Sequence, residues 1–142
     1  MIIRASNPAE QKSLLTYLGD KIGETPENLT GCMPVEIFGV VKANRVVGAI
    51  CFLNYRRQSI EFHLCGSPGW LGRNEIRYLF AYPFQQLGCL RLWCLIRRKN
   101  KPARVGAERL GFKVLGVAED EFGAGKDGII YSMKRSDCRW IK

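Results

Sequence analysis

The chain has 142 residues, 46% hydrophobic and 25% charged, with 22 Lys and Arg against 13 Asp and Glu and a formal net charge of +9. That length suits one core and not two, so a single domain over residues 1–142 is expected, and the composition excludes a disordered chain. No apolar run approaches a bilayer span and Met1-Ile-Ile-Arg-Ala-Ser lacks the basic flank and long apolar stretch of a secretory signal, which argues for a soluble cytoplasmic protein with no membrane partner.

Ile2 to Ala5 reads as a short strand, followed by a cap and proline at Asn7-Pro8 and by Leu14, Leu15 and Leu18 at helical spacing. Gly23 to Gly31, with Pro26, Asn28 and Thr30, reads as a loop with room for one helical turn, placed to shape a substrate entrance. Three strands follow as an antiparallel meander, Val35 to Lys42, Arg45 to Asn54 and Gln58 to Cys65, turning at Ala43-Asn44 and at Tyr55-Arg56-Arg57. Gly66 to Gly72 breaks the pattern. Arg73 to Leu87 reads as a helix that Pro83 kinks or shortens, and Cys89 to Ile96 as an interior strand. Asn100 caps a helix over Lys101 to Leu110 that Gly111 ends, and Phe112 to Ala118 and Ile129 to Met133 close the chain as strands around an acidic, glycine-rich segment.

The six cysteines (Cys32, Cys51, Cys65, Cys89, Cys94 and Cys138) contain no Cys-x-x-Cys pair and sit mostly in apolar runs, so they read as reduced structural thiols; with His63 the only histidine, no metal site is expected. A charge of +9 attracts polyanions, whether nucleic acid, an acidic protein surface or a phosphorylated cofactor. The aromatic residues Trp70, Tyr78, Phe80, Tyr82, Phe84 and Trp93 could stack bases between basic side chains, but their spacing is mostly that of a core.

Two segments carry chemistry. Between the third meander strand and the next helix, Gly69-Trp-Leu-Gly72 leaves backbone N–H groups uncovered at a helix N-terminus, an arrangement that serves either an anion or tight packing. Further on, Asn100-x-x-Ala103 followed by Gly111-Phe112 resembles the last motif of the GCN5-related N-acetyltransferase (GNAT) superfamily, and Asp127-Gly-Ile-Ile-Tyr-Ser-Met133 looks like its terminal strand.

The resemblance spans nearly the whole chain and is strongest from about Arg45 to Met133. It implies an α/β (α+β) acyl-CoA N-acyltransferase fold: a central mixed sheet of six to seven strands flanked by about four helices, splayed between Gln58–Cys65 and Cys89–Ile96 to admit acetyl-CoA. It implies that the amides of Gly69, Trp70, Leu71, Gly72, Arg73 and Asn74 hold the pyrophosphate, that backbone near Leu64 and Gly66 bonds the pantetheine, and that Asn100 contacts the same arm. Arg73, Arg77 and Arg104 are candidates for the cofactor phosphates.

Acetyl transfer needs a base or water chain to take a proton from the amine. Glu61 and His63 share one strand face and are the candidates, each also open to a purely structural role. The family's frequent tyrosine acid, seven residues after its asparagine, is here Ala107, which leaves Tyr131 or a water. Acetyl-CoA is the implied co-substrate and an amine the acceptor. On net charge an acidic protein or RNA suits better than a polycation. The alternative is an inactive GNAT-fold binding or structural module, since the compact size and divergent loop also look like phage-encoded members. An exposed last strand would allow a homodimer.

Overall fold

A computed structural model describes residues 1–31 and 33–142; Cys32 lies outside the described residues. The elements run β1 (Ile2–Arg4), α1 (Pro8–Ile22), α2 (Pro26–Thr30), β2 (Val35–Lys42), β3 (Arg45–Arg56), β4 (Ser59–Gly66), α3 (Arg73–Ala81), β5 (Arg91–Arg97), α4 (Lys101–Leu110), β6 (Lys113–Ala118) and β7 (Gly128–Lys134). Two short 3-10 turns, Arg135–Asp137 and Arg139–Ile141, complete the chain. The seven strands form one sheet in the order β1-β2-β3-β4-β5-β7-β6, antiparallel except where β4 and β5 meet in parallel.

Local chemistry accounts for most of these boundaries. The β2–β3 hairpin turns on Ala43 and Asn44, both at positive φ (51° and 61°), the backbone that a tight two-residue hairpin demands. Asn7 caps α1 by accepting from the Glu10 N–H at 2.9 Å, and Thr25 caps α2 by accepting from Asn28 at 3.1 Å, so the expected helical turn forms between Gly23 and Gly31.

The helix expected to run to Leu87 stops at Ala81. Pro83 has no N–H to donate, and the chain widens into a π-type turn over Tyr82–Gln86, closed by Leu87 N–H to the Tyr82 carbonyl at 3.0 Å.

Strand alternation gives the sheet two apolar faces. Ile37, Ala49, Cys51 and Leu53 pack with Leu18 of α1 and Leu29 of α2. Phe38, Ile50, Phe52, Ile60, Phe62, Leu92 and Tyr131 pack on the other face with Leu79 and Phe80 of α3 and Ala107 of α4. Each apolar face is therefore covered by one helix pair, the arrangement that buries both sides of a mixed sheet.

Candidate active site

β4 and β5 pair over only three positions, Ser59 with Arg91, Ile60 with Leu92 and Glu61 with Trp93. β4 continues to Gly66 and β5 to Arg97, so beyond Glu61 and Trp93 the two strands are not register partners. β4 remains paired with β3 as far as Gly66. In an antiparallel pair alternate residues turn both backbone groups away from the partner, so every second residue of β4 between Phe62 and Gly66 offers its N–H and C=O to the gap. β5 is held on its far side by β7 through Arg97, opposite Gly128, which keeps the opening from collapsing.

The gap is part of a cleft of about 730 Å³. Phe62, Leu64, Cys94, Ala103, Gly106, Ala107 and Leu110 line it on the α3/α4 side, and Leu29, Glu61, His63, Leu95 and Arg97 on the α1/α2 side. The opening therefore passes through the sheet. Two ligands can meet in it from opposite faces, one along α4 and one under the α1–α2 loop.

At the narrow point stands a dyad. Glu61 is buried at 8% exposure, and its Oε2 lies 2.9 Å from His63 Nε2. With Nε2–H donated to that carboxylate, His63 Nδ1 keeps the free lone pair and can accept a proton. The sequence pattern placed both residues on one strand face; their contact with each other was not anticipated.

Cys94 lines the same cleft, and burial, with the Glu61 charge adding to it, pushes its thiol up to about 12. It stays protonated and is not a nucleophile at neutral pH.

The loop into α3 reaches the cleft at Leu71, while Gly66, Gly69, Gly72, Arg73 and Asn74 lie outside its lining. Gly72 is the N-cap of α3 and has no side chain to bond the first-turn N–H groups, so those of Arg73 and Asn74 are uncapped. Two of the six loop amides singled out from sequence are otherwise engaged: Trp70 N–H donates to the Ser67 carbonyl and Gly72 N–H to the Trp70 carbonyl, each at 3.1 Å. Gly69, at φ 79°, makes the turn itself.

The Trp70 side chain is buried in the core at 8% exposure, lying over the register partners Gly48 and Gly66. It anchors the loop to the sheet and presents no ring to a ligand. Leu71 and Leu64 do line the cleft.

At α4, Asn100 Oδ1 accepts from the Ala103 N–H at 3.3 Å, and both residues line the cleft. Arg104 and Tyr131 do not line it. Arg104 Nε donates to the Tyr131 hydroxyl at 3.1 Å and its Nη1 to the Arg98 carbonyl at 3.1 Å, while Tyr131 is fully buried on the α4 face of β7. Tyr131 shares the α4 face with its register partner Cys94, which does line the cleft, while its own hydroxyl is engaged by Arg104.

Sequence reading assigned no site role to Glu24, Arg97, Glu121 and Phe122, which form the mouth on the α1/α2 side. Arg97 at the end of β5 is ion-paired with Glu24 of the α1–α2 loop, and its guanidinium sits 4.5 Å over the Phe122 ring of the β6–β7 loop. The expectation that Gly23–Gly31 borders the entrance supplied one half of this contact. The other half comes from the acidic segment between β6 and β7. Among the described residues no group of three or more His, Cys, Asp or Glu side chains is arranged to hold a metal ion, and no helix is long and apolar enough to cross a membrane.

No protein-family model matches the sequence, and no curated protein matches it. Solved structures do. One described as an acetyltransferase of the GNAT family from Desulfovibrio desulfuricans superposes with a TM-score of 0.73 at 19% identity, over 95% of this chain and 98% of that one. Spermidine N-acetyltransferase from Vibrio cholerae, in its dodecameric form, gives 0.70 at 18% over 96% and 94%. Ribosomal-protein-S5-alanine acetyltransferase from Vibrio fischeri gives 0.62 at 20% over 74% and 64%. The class is thus set by architecture: a seven-stranded mixed sheet between helix pairs, in the fold of the GNAT acyltransferases.

Proposed function

We propose that this chain is an N-acetyltransferase, carried as one cytoplasmic domain, that moves the acetyl group of acetyl-CoA to a primary amine. The observation that carries the reading is the β4–β5 gap, open from Phe62 onward, which the loop leading to the uncapped N-terminus of α3 borders at Leu71. A pyrophosphate is suited to uncapped first-turn amides and the helix dipole, here at Arg73 and Asn74. The pantetheine amides are suited to the free backbone of β4 around Leu64 and Gly66, running as an added strand. Asn100, Ala103, Gly106 and Ala107 offer a low wall along which that arm can lie.

On the other side of the sheet the amine would approach between Glu24, Glu61 and His63. His63 Nδ1 takes its proton, and Glu61 holds the ring in the required tautomer. The nitrogen then attacks the thioester carbonyl carbon, the C–S bond breaks, and the sulfur leaves as thiolate, protonated by water because position 107 is alanine. Positioning supplies most of the acceleration in this scheme.

The mouth carries Glu24, Glu61 and Glu121 against Arg97 and Arg109, so the +9 of the whole chain does not describe the field an amine would meet there. A cationic amine is therefore a better acceptor than net charge alone suggests. The spermidine acetylated by one structural neighbour is a reasonable first member of a test panel. The last strand, β7, lies between β5 and β6 and has no free edge, so the expected homodimer contact moves in this reading to the edge strand β6, which exposes Val114, Leu115 and Val117.

The test is acetyl-CoA titration by calorimetry followed by CoA release against primary amines. Micromolar binding and turnover are expected, with His63→Gln lowering kcat by about 10²–10⁴ while leaving acetyl-CoA affinity unchanged. A protein that neither binds nor turns over acetyl-CoA would sink the proposal. Ala107 favours a second reading, in which the fold binds acetyl-CoA without catalysis; binding with no turnover on any amine, and no effect of His63→Gln, would establish it.

A further inference from the structure

The end of the sheet opposite the cleft gathers cations. Arg56 of β3 is the register partner of Ser59, Ser59 of Arg91, and Arg91 of Lys134, so three basic residues stand in one row across four adjacent strands. The chain turns that flank the row add Arg57, Arg135 and Lys142. Arg91, Lys134, Arg135 and Lys142 line a groove of about 780 Å³ whose lining contains no carboxylate side chain. Among the described residues none of these six cations is in an ion pair, and the acidic side chain nearest in sequence is Asp137.

Strands are about 4.8 Å apart, so the row spans about 14 Å from β3 to β7; along the strands it lies about 7 Å from Glu61 and about 20 Å from the cleft mouth at Arg97. The groove and the cleft share no lining residue, and the inference does not rest on the acetyl-transfer reading.

The arrangement fits no folding requirement. Arg91 and Lys134, opposite one another in β5 and β7, repel, and the one contact that meets either charge among the described residues is the Trp93 ring 5.8 Å from the Arg91 guanidinium. Four of the six are arginines, whose planar guanidinium forks onto phosphate or carboxylate oxygens. Tyr55, half exposed at 52%, stands immediately before Arg56 and Arg57, its hydroxyl donating to the Leu87 carbonyl at 3.4 Å. A phosphodiester strand bears one charge at every link, which matches a row of cations with a neighbouring aromatic better than an acidic peptide does.

We propose that this end of the sheet is a docking site for single-stranded nucleic acid, with Arg56, Arg57, Arg91, Lys134 and Arg135 on its phosphates and Tyr55 against a base.

Fluorescence anisotropy with an oligouridylate of about 12 nucleotides tests it, at two or more salt concentrations. The parent protein should bind with an affinity that falls with salt by roughly 0.7 log unit per log unit of salt for each phosphate neutralised. Arg91→Glu/Lys134→Glu/Arg135→Glu should weaken binding by more than tenfold and reduce that slope by about 2. Arg56→Gln/Arg57→Gln, confined to exposed side chains, should weaken it in the same direction should the triple variant fail to fold. Reversing the exposed Lys12 of α1, Arg45 at the start of β3 and Lys126 of the β6–β7 loop should change binding less than threefold. Absence of binding at low salt, equal loss in that second set, or a poly-glutamate peptide bound as tightly as the oligouridylate would each overturn the proposal, the last in favour of an acidic protein partner.

Discussion

Gly48→Ala examines the anchoring of the loop that delivers the α3 N-terminus. Gly48 and Gly66 face each other across β3 and β4, and the Trp70 indole lies on both. A methyl group on Gly48 would overlap the six-membered ring of that indole, and nothing but Trp70 atoms stands among its nearest neighbours. A buried indole that must shift in a packed core costs about 1–3 kcal/mol. Trp70→Ala alone should cost about 3–5 kcal/mol, but in that background the new methyl meets open space, so adding Gly48→Ala should change little. The two substitutions then couple by about 1–3 kcal/mol. Gly66→Ala differs. Its methyl would also come within 2.5 Å of the Val47 carbonyl, which is backbone, so its cost persists without the indole. Urea unfolding of the parent, the three single variants and the two doubles measures all of this. Because the indole carries the loop with it, acetyl-CoA affinity should also fall by about tenfold in Gly48→Ala, or about 1.4 kcal/mol. The reasoning fails if Gly48→Ala lies within 0.5 kcal/mol of the parent, or if its cost is the same with and without Trp70.

Asn100→Ala removes the acceptor of the Ala103 N–H at the start of α4 and should cost about 1 kcal/mol, read as a lower unfolding midpoint, whereas Asn100→Ser should retain most of that stability. Alkaline pH should act through Cys51 and Cys94, both pushed from 9.0 to about 12 chiefly by burial and secondarily by the Glu61 charge. Raised folded-state values mean that the stabilisation is whole below pH 9 and is lost as pH climbs from there toward 12. Its loss is at most about 1.4 kcal/mol per pH unit per thiol, and the stability–pH profile of Cys51→Ala/Cys94→Ala should be flatter over that window by a comparable amount.

The elements most legible in the sequence are those with their own punctuation. β2 and α4 have the expected limits because a two-residue turn closes one, and Asn100 and Gly111, the latter at φ 110°, bracket the other. Where a tertiary bond sets the boundary, sequence reading drifted. β5 begins at Arg91 and not Cys89, because the Cys89 N–H is taken by the Pro83 carbonyl and the Leu90 N–H by that of Gln58. The last turn, whose Trp140 Nε1–H donates to the Leu110 carbonyl at 2.8 Å and whose ring stacks on Phe80, carries no local period at all. Within the site, strand alternation alone puts Glu61 and His63 on one face, but not in contact with each other. Locating Tyr131 takes the register of β7 against β5, which sets it opposite Cys94, since a buried tyrosine reads the same from either side of a sheet.

Net charge was the least transferable of the sequence observations, and the reason is geometric. The cation row lies about 20 Å along β5 from Arg97 and its partner Glu24 at the mouth, more than the Debye length of about 8 Å at physiological ionic strength, whereas Glu61, two residues from Ser59, is about 7 Å from it. The mouth is screened from the row, and Glu61 only in part. An amine at the cleft would respond to Glu24, Glu61 and Glu121, while a polyanion would respond to Arg56, Arg91 and Lys134. Raising the salt should therefore weaken oligouridylate binding steeply while leaving the Kd for acetyl-CoA far less affected, because first-turn amides and strand backbone, unlike exposed side-chain charges, hold their ligand at contact distance. A parallel fall of both affinities would place the two ligands on one surface and dissolve the division of the molecule into two sites.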